Sequence, residues 1–411
     1  MRSLSWSKQL PGLVLATCCA CSGDDAADAN DASDTSGTPV SDASAGEPLS
    51  ALPSTFFAPV TAAFTARDDA ARTLQVSASG EALGQRGYRY SSTPADGEQV
   101  FVDGWDVEFE RYFVVIDTVR VNEPGADPDK RENLGRKVVE QRGPWVVDLH
   151  KAGPLVGAGG APETAVPLTV LKADFDTSRT YAFSYETAAA SFNVRNTNLR
   201  EADRDALLMM IEHGWVKYVE GEATYRGRTP SESVDASFQA YPKRVHFAFG
   251  LTDAASYVNC HNPEIGEEDE PKNRGVRPKA DGAVRAQLTF HTDHMFWDQA
   301  DVEGAALRFD ALAARAQNFG EDSGAVHELT LDDLADVSPS ALEDRNGQPV
   351  RDRADQTEGY EPGIVAPPVY GTQGNDDITD LRSFIAYNNR AQGHLNSDGL
   401  CAVAPKPLPV F

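Results

Sequence analysis

Alternating apolar and polar positions predict short β-strands along much of the chain. In residues 105–110, tryptophan, valine and phenylalanine alternate with acidic residues, which is the pattern of a half-buried strand. Similar apolar runs recur between turns rich in Gly, Pro and Asp. These runs cover residues 113–121, 145–149, 166–171, 181–185, 215–225, 245–251 and 283–291. Many short strands with such punctuation predict a mainly β protein with an antiparallel, sandwich-like body.

Three segments carry apolar residues at helical spacing and predict a few peripheral helices. The first covers residues 199–213 and is followed by Gly214, which suits a left-handed helix cap. The others cover residues 302–318 and 377–390. Because these segments are few and separated, we expect the helices to lie around the strands rather than to form a layer of their own.

The predicted strands and helices belong to one large β-rich domain, residues 53–411. Polar stretches at residues 262–281 and 338–375 interrupt the pattern and are expected to be insertions. A chain of 411 residues that is 41% hydrophobic can bury a sizeable core. The composition therefore excludes a fully disordered protein.

The charge balance excludes one class of partner. The chain has 63 acidic residues against 37 Lys and Arg, for a net charge of −26. Each phosphate contact in nucleic-acid binding needs a Lys or Arg side chain. We therefore expect no nucleic-acid partner, and the same surplus disfavours electrostatic docking on anionic lipid.

The amino terminus has the order of features found in secretory signal peptides. Arg2 and Lys8 supply positive charge, an apolar stretch follows at residues 10–16, and small residues and cysteines come next. Residues 1–20 are therefore predicted to be a signal peptide. The apolar stretch is far shorter than the ~20 residues that a membrane-spanning helix needs, so no transmembrane helix is predicted.

Residues 21–52 are expected to form a disordered acidic linker. Between residues 22 and 50 there are seven acidic residues and no basic one, interspersed with Ala, Ser, Gly and Thr. Such a segment has too little apolar surface to offset the entropy lost on ordering.

Two cysteines give this leader its resemblance to bacterial lipoproteins. Small Ala20 precedes Cys21, as in the lipobox cysteine that receives diacylglycerol, while Leu15 and Ala16 stand at the preferred positions before Cys18. With its Asp- and Ser-rich linker, the leader is similar to those of deltaproteobacterial lipoproteins. The resemblance is confined to the leader. It implies a protein on the periplasmic or surface face of the outer membrane, lipid-anchored at Cys21 or, alternatively, at Cys18. An ordinary cleaved signal with incidental cysteines is the other interpretation.

The sharpest candidate for chemistry is the sequence His291-Thr292-Asp293-His294 at the end of predicted strand 283–291. Because side chains alternate along a strand, His291 and Asp293 are expected to share one face. His294 joins them only if the strand ends in a turn. Two imidazoles and a carboxylate suit a zinc or copper ion. The alternative is that these histidines cap the strand and bond to neighbouring carboxylates.

Two further histidines are candidates for an additional metal ligand. His394 lies with Asp398 in a Gly-flanked segment that is also an ordinary turn sequence. His246 lies in predicted strand 245–251, on the face away from its large apolar side chains. A structural role is the alternative for both.

Cys260 and Cys401 are the cysteines of the predicted mature body. In an oxidising compartment two such cysteines usually bond to each other, so a Cys260–Cys401 disulfide is predicted. The rival interpretation is a metal site in which both cysteines, His261 and His394 ligate one ion.

Catalytic motifs are scarce in the sequence. It contains no Gly-x-Ser-x-Gly elbow, phosphate-binding loop or dinucleotide fingerprint. We therefore expect a binding or structural module of the cell envelope, with a candidate zinc or copper site, rather than an enzyme. A metal-dependent envelope hydrolase and an adhesion or surface-assembly protein are the alternatives.

Overall fold

Two mixed β-sheets form the framework of the protein. The computed structural model describes residues 52–58, 64–65, 67–162, 164–227, 241–298, 305–316, 326–337 and 378–405. More residues lie in β-strands than in helices, which confirms the predicted mainly β class. The strands are β1 (Thr73–Ser79), β2 (Trp105–Pro124), β3 (Leu134–Asp148), β4 (Val166–Lys172), β5 (Ala182–Thr187), β6 (Arg195–Asn196), β7 (Lys217–Tyr225), β8 (Arg244–Leu251), β9 (Ala255–Val258), β10 (Ala283–Phe290), β11 (His327–Thr330), β12 (Gly393–Leu395), β13 (Gly399–Leu400) and β14 (Ala402–Pro405).

The smaller sheet has the strand order β13-β12-β10-β1-β4 within the described residues. β1 runs parallel to β10, with Ser79 opposite Thr289. β12 runs antiparallel to β10, with Gly393 opposite Phe290. Because β1 and β10 are parallel, the residues that follow them emerge at the same end of the sheet.

The larger sheet is built around β2. Its order in the described part is β11-β8-β7-β2-β5-β9-β14, and β3 pairs with both β2 and β6. Most pairs are antiparallel, as expected, but β8 with β11 and β3 with β6 are parallel. The sheets are therefore mixed, because long stretches of chain separate these partners and allow the crossover that a parallel pair needs.

The two sheets contribute to one hydrophobic cluster, which gives the fold its sandwich-like character. Val76 of β1, Leu288 of β10 and Phe109 and Phe247 of the larger sheet all belong to it. A second cluster covers the other face of the larger sheet. It includes Leu207, which belongs to the helix Arg204–His213. Both clusters are buried, so the fold has a core on each face of the larger sheet.

Short helices lie around the sheets. They are α1 (Glu81–Arg86), α2 (Arg204–His213), α3 (Asp310–Ala313) and α4 (Leu381–Arg390). Gly214 caps α2 in the left-handed conformation (φ 64°, ψ 31°), as its sequence predicted. Asp380 begins α4 by accepting a hydrogen bond from the Ser383 backbone at 2.7 Å.

The predicted helix over residues 302–318 is wrong for most of its described part. Among residues 305–316 only α3 is α-helical. The preceding backbone is extended, since Leu307 forms bridges with Phe101 and Trp297. Strand pairing there prevailed over the helical spacing of the apolar residues.

Several predictions concern other parts of the chain. Insertion 262–281 is an ordered excursion with its own hydrogen bonds, such as Asn262 N to Asn273 O at 2.9 Å. The predicted signal peptide, most of the predicted linker 21–52 and the predicted insertion 338–375 lie outside the described residues. Where the structure describes the chain, no helix combines the length and apolar character needed to span a membrane.

Candidate metal centre

Pairing between β10 and β12 brings two distant histidines together. His291 directly follows β10, and His394 is the middle residue of β12. The His291 backbone N–H donates to Gln392 O at 3.1 Å, which continues the ladder by one residue. The two imidazoles therefore stand side by side on neighbouring segments of one sheet.

A tight turn adds His294 to this pair. After His291 the chain leaves the strand and forms a 3-10 helix, Asp293–Phe296. His294 points inward with 3% of its surface exposed. Its ring stacks on Trp297, with centroids 3.7 Å apart. The turn required by the sequence interpretation is thus present.

The three imidazoles form a compact group. The rings of His291 and His394 are parallel, with centroids 4.3 Å apart. His294 is nearly perpendicular to both, at 5.7 Å from His291 and 5.5 Å from His394. One ring nitrogen from each residue can be chosen so that all three lie within 4.8 Å of one another. Because zinc–nitrogen bonds are about 2.0–2.1 Å long, ligation of one ion requires the rings to move closer together.

Four ring nitrogens in this group have no hydrogen-bond partner among the described residues. They are His291 Nε2, His294 Nδ1 and both ring nitrogens of His394. The Asn388 backbone hydrogen-bonds the His294 ring. The backbones of Ala391 and Asp398 approach His394 without normal hydrogen-bond geometry. Buried polar atoms are nearly always partnered in proteins, and here four atoms that lack a partner are concentrated in one small group.

Burial holds two of the histidines in the neutral form. It lowers the pKa of His294 well below the usual value, and the nearby His394, His291 and Lys217 lower it further. Burial likewise lowers the pKa of His394, with a further contribution from His291. Only the neutral imidazole has a lone pair for a metal, so both rings are in the state that ligation needs.

A buried lysine next to the group was not predicted. Lys217, 1% exposed, donates to Asn389 O at 2.8 Å, Asn389 Oδ1 at 3.3 Å and Gln392 Oε1 at 3.1 Å. Burial lowers its pKa to about 7. The sequence held one indication, because Lys217 is in phase with buried Val219 and Ala223 along β7.

Asp293 does not join the three histidines. Its carboxylate accepts hydrogen bonds from Gln99 Nε2 at 3.1 Å and Trp297 Nε1 at 3.3 Å. The expectation of a shared face assumed that the strand continued, whereas β10 ends at Phe290. His394 occupies the position that was predicted for Asp293.

His246 lies in a different group, with Glu110 and Glu220. Its Nδ1 lies 2.6 Å from Glu328 Oε2, and its Nε2 lies 3.3 Å from Glu220 Oε1. Hydrogen bonds to Glu220 and Glu328 raise the pKa of His246 to about 9. Glu220 is also paired with Arg111. In this group the imidazole and the carboxylates are thus already paired with each other and with a guanidinium.

Cys260 and Cys401 form a disulfide bond, which confirms the predicted pairing. The bond joins the end of β9 to the start of β14. His261 Nε2 lies 2.8 Å from Gly266 O. The rival metal site made of both cysteines, His261 and His394 is thereby excluded.

Comparison with known protein families, curated proteins and solved structures finds no match for this chain.

Proposed function

We propose that the protein is a metal-binding module of the bacterial cell envelope. It holds one zinc or copper ion through His291, His294 and His394, and lipid on Cys21, or alternatively on Cys18, anchors it to the outer membrane. The observation that carries the metal site is the convergence of three imidazoles, each with at least one ring nitrogen that has no hydrogen-bond partner among the described residues. The lipobox-like leader supports the location.

The energetic argument favours a bound ion over a purely structural histidine cluster. Leaving a buried polar atom without a partner costs about 1–3 kcal/mol. A structural cluster would satisfy these nitrogens with nearby acceptors and donors, as His246 does with its carboxylates. A metal ion satisfies one nitrogen of each imidazole at once, and neutral imidazoles suit zinc and copper.

The direct test is metal analysis of mature protein purified without an affinity tag. We expect about one zinc or copper ion per chain by mass spectrometry. Apo protein should bind Zn²⁺ or Cu²⁺ in competition with a chelator of known affinity. The His294→Ala and His394→Ala variants should lose affinity by at least about a hundredfold, because each removes a direct ligand.

His213→Ala is the matched control. Its imidazole also stacks on a tryptophan, Trp215, with centroids 4.9 Å apart, but it lies at the exposed end of α2. This variant should bind metal like the wild type. Wild-type protein that binds neither ion, or cluster variants that bind as tightly as the wild type, would contradict the proposed function.

A further inference from the structure

Two carboxylates lie at the outer edge of the histidine group. Because β1 and β10 are parallel, the segment after Ser79 and the segment after Phe290 emerge at the same end of the sheet. Glu81 begins α1 on the first segment, and His291 begins the second. The β12–β13 turn brings Asp398 to the same place.

Both carboxylates face the free nitrogen of His291. Glu81 Oε2 lies 3.8 Å from His291 Nε2, and Asp398 Oδ1 lies 3.9 Å from it. These distances are too long for hydrogen bonds, and His291 Nε2 has no other partner in the described part of the chain. Carboxylate oxygen and imidazole nitrogen are usual ligands of divalent cations.

The backbone is strained where it holds these carboxylates. Glu81 (φ 56°), Asn396 (φ 50°) and Ser397 (φ 73°) have positive φ angles, which non-glycine residues rarely adopt. Each such residue costs on the order of 1–3 kcal/mol, and such strain is concentrated at functional sites. Ser397 Oγ donates to Glu81 Oε1 at 2.7 Å and ties the two segments together.

Exposure falls steadily from the carboxylates to the imidazoles. The side chain of Asp398 is 82% exposed, that of Glu81 is 27% exposed and that of His291 is 16% exposed. His294 and His394 are buried. The group whose nitrogens lie within 4.8 Å of one another contains the three histidines but neither carboxylate. The carboxylates thus lie between solvent and the histidines.

We propose that Glu81 and Asp398 form a loading mouth for the metal site, an inference that rests on the proposed function. The carboxylates capture a hydrated divalent cation, and His291 accepts it as the first imidazole ligand. The ion exchanges carboxylate oxygen for imidazole nitrogen, releases its water and passes inward to His294 and His394. Negative charge at the mouth of a site raises the local cation concentration and speeds association.

A loading mouth and a permanent ligand predict opposite effects on metal release. A mouth lowers the barrier in both directions, so its loss slows binding and release together and changes the equilibrium affinity little. Loss of a permanent ligand speeds release and weakens affinity. The two roles can therefore be separated by measuring both rates.

The experiment mixes apo mature protein with Cu²⁺ in a stopped-flow instrument and follows quenching of tryptophan fluorescence, for which Trp297 beside His294 is the reporter. Chelator is then added to follow release. For Glu81→Gln with Asp398→Asn, we expect about tenfold slower loading, slower release and a weaker dependence of loading on salt. The dissociation constant should change much less than either rate, because a pathway for loading alters the barrier and not the end states.

Asp174→Asn is the matched control. Its side chain is 92% exposed and forms an ion pair with Arg72. Arg72 directly precedes β1, so this ion pair lies at the end of β1 and β10 that is opposite to Glu81. This variant should load like the wild type. Trp297→Phe should remove most of the fluorescence change. If Glu81→Gln unfolds, Asp398→Asn alone still tests the mouth because its side chain is largely exposed.

The outcomes distinguish the two proposals. Wild-type protein that binds metal, with variants that load at the wild-type rate, overturns the loading mouth and leaves the metal site standing. Faster release with weaker affinity in Glu81→Gln also overturns it, because Glu81 is then a ligand. Failure of the wild type to bind either ion overturns the metal site and the mouth together.

Discussion

His291 and His394 stack face to face, with ring planes only 5° apart, although they come from segments of the chain that are far apart in sequence. The stacking follows from the antiparallel pairing of β10 with β12. His394 lies opposite Thr289, which is two residues before His291 and therefore on the same face of the sheet. The contact therefore places two imidazoles from distant parts of the chain next to each other on one sheet.

Close packing of Gly393 in the core determines the position of the next residue, His394. A Cβ atom at this residue would overlap the Tyr257 and Tyr185 side chains. We expect Gly393→Ala to lower the free energy of unfolding by about 1–3 kcal/mol and to weaken metal binding by displacing the adjacent His394. Urea denaturation and a Zn²⁺ titration measure the two effects.

Gly84→Ala is the control for this prediction. A Cβ atom at Gly84 would have its nearest contact at 3.7 Å, an ordinary van der Waals distance, and Gly84 lies within α1. Alanine there should be neutral or stabilising. Wild-type stability for Gly393→Ala would contradict the packing argument.

The Cys260–Cys401 disulfide should contribute strongly to stability. It spans 141 residues, for which the chain-entropy model gives about 5 kcal/mol, and measured values for native disulfides are about 2–5 kcal/mol. Cys260→Ser with Cys401→Ser should therefore melt at a clearly lower temperature than the wild type. Reductant should destabilise the wild type but not the double variant. Equal melting temperatures with and without reductant would refute the prediction.

The ion pairs of His246 should make stability depend on alkaline pH. Because its folded pKa is about 9, above the ordinary 6.5, the stabilisation is fully present below pH 6.5 and is lost as the pH rises through 9. We expect His246→Gln to be less stable than the wild type by about 1–3 kcal/mol at pH 6. The difference should shrink by pH 10, as measured by denaturation at several pH values. A difference that is constant or grows with pH would be inconsistent with a protonated His246.

The lipid anchor predicts how the mature protein partitions. Protein made in a bacterial host with lipoprotein processing should enter the detergent phase, and intact-mass analysis should place diacylglycerol on Cys21. Cys21→Ser should move the protein to the aqueous phase unless Cys18 is the lipidated residue, and Cys18→Ser distinguishes the two. An unmodified mature terminus would show that the leader is an ordinary signal peptide.

Local pattern was sufficient for much of the fold. Alternation along residues 105–110 and 245–251 correctly predicted parts of β2 and β8, and Gly214 marked the end of α2. These features depend on neighbouring residues, so the sequence determines them directly. The helix over residues 302–318 failed because Leu307 pairs with distant segments, a contact that local spacing does not reveal.

The group of three histidines could be predicted only in part for the same reason. His291 and His294 are close in sequence and were found together, whereas the contact with His394 depends on pairing of β10 with β12. β1 was not predicted as a separate strand, so its parallel pairing with β10 and the place of Glu81 were missed. An error of a few residues in where a strand ends was enough to assign Asp293 to the wrong neighbours.

Parallel pairing of β1 with β10 also has a consequence for protein synthesis. In the sheet that carries the histidines, residues 73–79 pair with residues 283–289. β12 then pairs with the other edge of β10. A nascent chain on the ribosome therefore lacks the complete group of three histidines until almost all of it has been translated. Under the proposed function, early fragments and carboxyl-terminally truncated products would hold the ion less well than the full chain. Metal content would then report on completed folding and would serve as a quality assay for purified batches of the protein.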